Sequence, residues 1–296
     1  MARRDMSRLL RVITVCVALL HAGSPPATAD TATMGRRACT GPEVLLVHDL
    51  AGTAGDWDLL ADDLRSAGWC PVAVDWGRPR PGDVPLPVGG LTGVDAAAVD
   101  LASDRGWISA SADADAGAAV PVPGIATAPS QEPVAVVAKG VGGLVAQRAV
   151  QLAVGRTGRA EPPISALVTV GPVWNGTNVL GIADVENLSR ALGTYDAVLA
   201  WERTWMDPIC EGCREAVRGS DLLVRLHADG PRTRGVVYTD IVSTVDLLVH
   251  PPLEQSPPGT EVRVVRPFAG GRPVWHGELG RDPDSRGLGV EALGPT

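Results

Sequence analysis

The sequence predicts one α/β domain built on a mostly parallel, doubly wound sheet with helices on both faces and a small cap or loop region. Three observations carry this expectation. Short apolar runs recur along the chain, segments of helical spacing alternate with them, and no internal repeat or sustained heptad breaks the alternation. A chain of 296 residues is long enough to bury a substantial core.

The chain opens with Arg3, Arg4, Arg8 and Arg11, an apolar run from Val12 to Leu20, and small residues at Ala27, Thr28 and Ala29. That order is expected of a secretory signal peptide cleaved after Ala29. The run is about 9 residues, against the roughly 20 a membrane span needs, so no stable membrane anchor is expected. Cleavage would remove four arginines and one aspartate and take the formal net charge from -8 to -11. Such an acidic surface argues against nucleic acid and anionic membranes as partners.

Glu43 to His48 reads as the first strand, Trp57 to Ala67 as a helix through Trp57, Leu60, Ala61 and Leu64 closed by Gly68, and Trp69 to Asp75 as the second strand. A strand, a helix and a strand within about 35 residues form a parallel unit whose site-bearing loops lie at the strands' carboxyl ends. The Pro- and Gly-rich stretch Arg78 to Leu91 reads as a loop, Gly93 to Ser103 as a helix, and Ala110 to Gln131 as a flexible insertion without a period. Val134 to Val137 then returns as a strand and Gly142 to Val154 as a helix. Beyond them come strand Ile164 to Gly171, a helical cap from Val179 to Met206, strands Gly235 to Ser243 and Glu261 to Arg266, and a tail from residue 284 to 296. With Cys16 in the leader, Cys39, Cys70, Cys210 and Cys213 can form two disulfides in three pairings. The pairing of Cys39 with Cys70 and Cys210 with Cys213 is preferred: the first pair flanks the first strand and helix, and the second is separated by two residues. Neither a thioredoxin-like context nor a second ligand pair supports a redox or zinc role for Cys210 and Cys213.

Between the third strand and its helix lies Ala138-Lys139-Gly140-Val141-Gly142. The segment resembles the nucleophile elbow of α/β-hydrolases, small-x-Ser-x-Gly, with glycine where the serine is expected. Further blocks share order and spacing with secreted actinobacterial-type triacylglycerol lipases of that superfamily: Val44 to Asp49, Gly68-Trp69-Cys70 through Asp75-Trp76-Gly77, Gly171-Pro172 with Asn175-Gly176-Thr177, and Cys213 through Gly219-Ser220-Asp221-Leu222 to Val245-Asp246 and Pro251. The similarity runs from Cys39 to Pro283, apart from the insertion.

That resemblance implies the α/β-hydrolase fold, with Asp246 as triad acid, His276 as triad histidine, and the amides of Leu50 and Val141 as oxyanion hole. It also exposes two departures. Gly140 has no side chain to attack an ester, and Asp49 replaces the family's usual glycine, bringing a carboxylate that would repel a developing oxyanion if it faced the site. The two look like independent defects. Lys139, in place of the family's usual histidine, reads as a solvated side chain.

The expected function is therefore a secreted lipase-like pseudoenzyme that binds a lipid, an ester-like ligand or a partner without hydrolysing it. The alternative is an active carboxylic-ester hydrolase using a displaced nucleophile, with Ser109, Ser111 and Ser243 as candidates, or a water held by His276 and Asp246. A third reading is an interaction protein whose pocket has collapsed. No metal or organic cofactor is implied.

Overall fold

In the computed structural model the described residues are 39–78, 86–108, 132–178, 181–249 and 251–296. The leader, the whole insertion and part of the Pro-rich loop lie outside them. Six strands form one parallel sheet: β1 (Glu43–Val47), β2 (Cys70–Val74), β3 (Val134–Lys139), β4 (Ile164–Val170), β5 (Val237–Val242) and β6 (Glu261–Val264). Their order across the sheet is β2-β1-β3-β4-β5-β6.

Alternation along each strand sends side chains to two separate cores. Leu45 and Val47 of β1 and Val136 and Ala138 of β3 face one side. There the covering comes from residues such as Val94, Ala98, Val145, Ala149, Leu222 and Leu226. Val44 and Leu46 of β1 and Ala135 and Val137 of β3 face the other side, against Leu60, Leu64 and Leu279. Because β1 and β3 are apolar on both faces, helices are required on both, as the sequence implied.

The helices are α1 (Asp58–Ser66), α2 (Val94–Asp104), α3 (Val141–Thr157), α4 (Ile182–Ala191), α5 (Tyr195–Trp205), α6 (Asp207–Glu215), α7 (Asp221–Ala228), α8 (His276–Leu279) and α9 (Pro283–Leu293). A short hairpin of β7 (Phe268–Ala269) and β8 (Arg272–Pro273) stands apart from the main sheet. The expected cap is the pair α4 and α5. The expected tail is instead α9, a correction with a local cause. Asp282 caps it by accepting from the Ser285 amide at 3.0 Å, and Pro283 occupies its first turn, where no backbone donor is needed. Leu288, Val290 and Leu293 then pack on the second core. No helix among the described residues is long and apolar enough to cross a membrane.

Both disulfides have the preferred pairing, Cys39 with Cys70 and Cys210 with Cys213. The first closes a sequence separation of 31 and ties the chain before β1 to the start of β2, whereas the second spans only 3. Loop-closure entropy gives roughly 4 kcal/mol for the first and roughly 2 for the second. Cys70→Ser is accordingly expected to lower the urea midpoint about twice as far as Cys213→Ser, and equal losses would refute this ranking.

Strand order decides where a site can form. From β1 the chain steps outward to β2, then crosses back to place β3 on the opposite flank of β1. The crevice beyond the carboxyl ends of β1 and β3 lies at that reversal, where open α/β sheets hold their ligands. His48 and Asp49 leave β1 into it, and Gly140 and Val141 leave β3.

Candidate active site

The turn after β3 has the geometry of a nucleophile elbow. Gly140 has φ 50° and ψ -122°, a conformation strongly disfavoured for a residue with a Cβ, and α3 begins at the next residue. Gly140 N–H donates to the Val170 carbonyl at 3.1 Å, which fixes the turn to the end of β4.

The space above Gly140 is occupied by Asp49. A Cβ built on residue 140 would overlap the Asp49 carboxyl group, whose Oδ2 would lie 2.5 Å away. Asp49 Oδ1 accepts from the amides of Leu50 at 2.8 Å and Val141 at 2.9 Å. Those are the two N–H groups expected to form an oxyanion hole. Asp49 Oδ2 lies 2.8 Å from His276 Nε2, and His276 Nδ1 lies 2.8 Å from Asp246 Oδ2. One carboxylate thus occupies both the two amides and the place beside the imidazole. The departures at 49 and 140, which looked independent in the sequence, are coupled in space.

Each member is held by its own surroundings. Asp246 Oδ1 accepts from the amides of Leu248 at 2.9 Å and Val249 at 3.0 Å, a turn that leaves Oδ2 for His276. Gly171, at φ 62°, leaves room for the imidazole, since a Cβ there would come 2.9 Å from the ring. His48 positions the Asp49 backbone. Its Nε2 accepts from the Trp76 amide at 3.2 Å, so its Nδ1 carries the proton and donates to the Asp49 carbonyl at 2.8 Å. The loop also contains Ala51 at φ 55°, the one non-glycine residue with positive φ among those described.

The electrostatics follow from burial and pairing. Desolvation works against a charged His276, but the carboxylates of Asp246 and Asp49 outweigh it and raise the imidazole to about 9. Burial alone would raise the Asp49 carboxyl. Its hydrogen bond and charge interaction with His276, the Lys139 cation and the Val141 amide together hold it below the usual carboxylate range. At neutral pH His276 is therefore held as the imidazolium beside an ionised Asp49. Burial pushes His48 down, which keeps it neutral.

Beside this chain lies a cavity of about 30 Å³, room for no more than a water or two, lined by Asp49, Trp57, Lys139 and Arg281 among others. Lys139 is half-buried and lines this cavity, in place of the solvated position expected of it. Trp57 is fully buried and its indole N–H has no hydrogen-bond partner. Ser243 is buried with its Oγ accepting from the Val245 amide at 3.3 Å, and neither imidazole nitrogen of His276 is bonded to it. Ser109 and Ser111 lie outside the described residues. No group of three or more metal-ligating side chains occurs among the described residues.

The chain resembles solved lipases in its backbone. Aspergillus fumigatus lipase B superposes with a TM-score of 0.53 at 18% identity, over 86% of this chain and 52% of the lipase. A Paleococcus ferrophilus monoacylglycerol lipase superposes with a TM-score of 0.51 at 19% identity, over 86% of this chain and 93% of the lipase. The chain thus spans about half the length of the first and nearly all of the second. No protein-family model and no curated protein sequence matches the chain. At these identities the likeness establishes the α/β-hydrolase fold.

Proposed function

We propose that this chain is a secreted lipase-like protein that is silent toward carboxylic esters, its acyl-transfer site held shut by its own Asp49. The observation that carries this reading is the single carboxylate bonded to Leu50 N, Val141 N and His276. Hydrolysis of an ester through a serine needs a hydroxyl at residue 140, an empty pair of amides for the substrate's carbonyl oxygen, and a neutral imidazole. Gly140 supplies no hydroxyl, Asp49 Oδ1 fills the amides, and His276 is held protonated. A water activated by His276 meets the second and third obstacles as well. Export is supported by the leader-like sequence before Ala29 and by the two disulfides. A lipid or partner bound at this site must open it, because the cavity beside Asp49 does not accommodate an acyl chain.

Esters of p-nitrophenol with acetate, butyrate and decanoate test the reading. Rates equal to those without protein are expected. Turnover that survives purification and disappears in His276→Ala would overturn it.

A further inference from the structure

The sequence around Cys210 and Cys213 gives no redox context; their place in the fold supplies one. Both pack with Leu50, Ala51 and Leu91 in a small apolar cluster apart from the two main cores. Ala51 is held at φ 55°, a conformation that is costly for a residue with a Cβ and persists only where its surroundings fix it. The amide of the preceding Leu50 donates to Asp49 Oδ1. We propose that the disulfide of Cys210 and Cys213 is a thiol-exchange site, and that its opening by a small dithiol releases the turn at Leu50 and Ala51 from the segment of α6 that presses on it.

Cys210 is the residue of α6 whose backbone is not helical, at φ -160° and ψ 85°. The helix breaks at the bridge, and the turn that follows is pressed onto the loops around Leu50. Gly212 N–H donates to the Leu91 carbonyl at 3.2 Å, and a Cβ at residue 212 would come 3.1 Å from both Leu50 Cδ2 and the Gly90 carbonyl oxygen. The Glu211 carboxylate reaches further and accepts from the Gly93 amide at 3.1 Å. Once opened, the bridge no longer holds Cys210 outside the helical region, and α6 is free to run on as one helix. Gly212 and Glu211 then leave these contacts, and Ala51 loses the packing that fixes its backbone.

Cys213 is half-buried whereas Cys210 is fully buried, so a thiolate reaches Cys213 Sγ first. The new S–S bond forms there as the bond between Cys210 and Cys213 breaks, and Cys210 departs with the electron pair. Its departure is assisted by the Cys213 amide, which lies 3.1 Å from Cys210 Sγ and donates to it, stabilising the thiolate. The second thiol of the reductant then displaces Cys213. The dithiol is thereby oxidised by two electrons to its cyclic disulfide, and its two protons end on the two cysteines. Cys39 Sγ has the opposite kind of neighbour, the Trp69 carbonyl oxygen at 3.7 Å, which opposes negative charge on sulfur. With the turn released, Leu50 no longer holds Asp49 Oδ1. That last consequence rests on the proposed silencing by Asp49; the exchange itself does not.

The probe is dithiothreitol on the full chain, read by alkylation mapping and by amide hydrogen exchange. At limiting reductant, alkylation is expected at Cys210 and Cys213 before Cys39 and Cys70. In that state the Leu50 and Gly212 amides are expected to exchange about tenfold faster and to slow again on reoxidation, while the Gly171 amide, bonded to the Ile241 carbonyl, keeps its rate. Cys210→Ala combined with Cys213→Ala is expected to show the same fast exchange without reductant. Should that variant fail to fold, the partly reduced protein decides alone. Alkylation of Cys39 and Cys70 first, Leu50 and Gly212 amides as slow after opening as before, or a Gly171 amide that speeds up with them would overturn the proposal. None of these readouts uses an ester, so turnover in the p-nitrophenyl assay bears only on acyl silence.

Discussion

Gly140→Ser is expected to destabilise the protein by roughly 2 to 5 kcal/mol and to leave it without useful esterase activity. Two costs combine. The elbow backbone at φ 50° strains any residue with a Cβ, and the new side chain must displace the Asp49 carboxyl group. Adding Asp49→Gly removes the second cost, empties the Leu50 and Val141 amides, and leaves the new hydroxyl free to bond His276 Nε2. The double variant is expected to regain a large part of the lost stability. It is also expected to hydrolyse p-nitrophenyl butyrate about 10²- to 10³-fold faster than Gly140→Ser alone, the scale of a functioning oxyanion donor. Urea denaturation of the four proteins in a double-mutant cycle measures the coupling, expected in the range of about 0.5 to 3 kcal/mol. Additive stabilities together with equal rates would show that Asp49 does not obstruct residue 140.

The second large effect is on pH dependence. His276 rises from 6.5 to about 9 in the folded protein, so its proton stabilises the fold. That contribution is complete below about pH 6.5 and disappears as pH climbs through 9, a loss of roughly 3 kcal/mol in all. Asp49 behaves oppositely: its carboxyl is lowered from 3.8, so its contribution is present above that value and fades as acid protonates it. The two describe one ion pair and are not added. Asp49→Asn removes one of the two anions facing the imidazole and is expected to flatten the alkaline loss by half or more. Urea midpoints at pH 6.5 and 9.5 for the two proteins give the difference, with common titrations elsewhere cancelling. Identical alkaline slopes would mean that Asp49 does not hold the His276 proton.

Much of this architecture is legible in the sequence because it rests on local patterns. The strands from Glu43 and Val134 are short apolar runs that end in turn residues, and the unusual backbone at residue 140 is foreshadowed by glycine at a strand-to-helix turn. The resemblance singles out His276 and Asp246, which the fold brings within hydrogen-bond distance. The helix α9 is hidden because Gly287 and Gly289 dilute its apolar spacing, and its start depends on a cap at Asp282. Asp49 is harder still. Its conflict with an oxyanion is readable, but its occupation of the place above Gly140 is not, because that depends on the register that sets β1 beside β3, pairing Val47 with Ala138. A paired signal exists: against the lipase pattern that the sequence resembles, a side chain is absent at 140 and one is present at 49, in the two loops that a doubly wound sheet brings together.

The volume above Gly140 admits one side chain at a time. A route of substitution that brings an aspartate to 49 while a serine stands at 140 passes through a sterically contested protein, whereas the opposite order meets no such obstacle. Serine at 140 is penalised for as long as Asp49 remains, so any path to a hydroxyl there runs through residue 49 first.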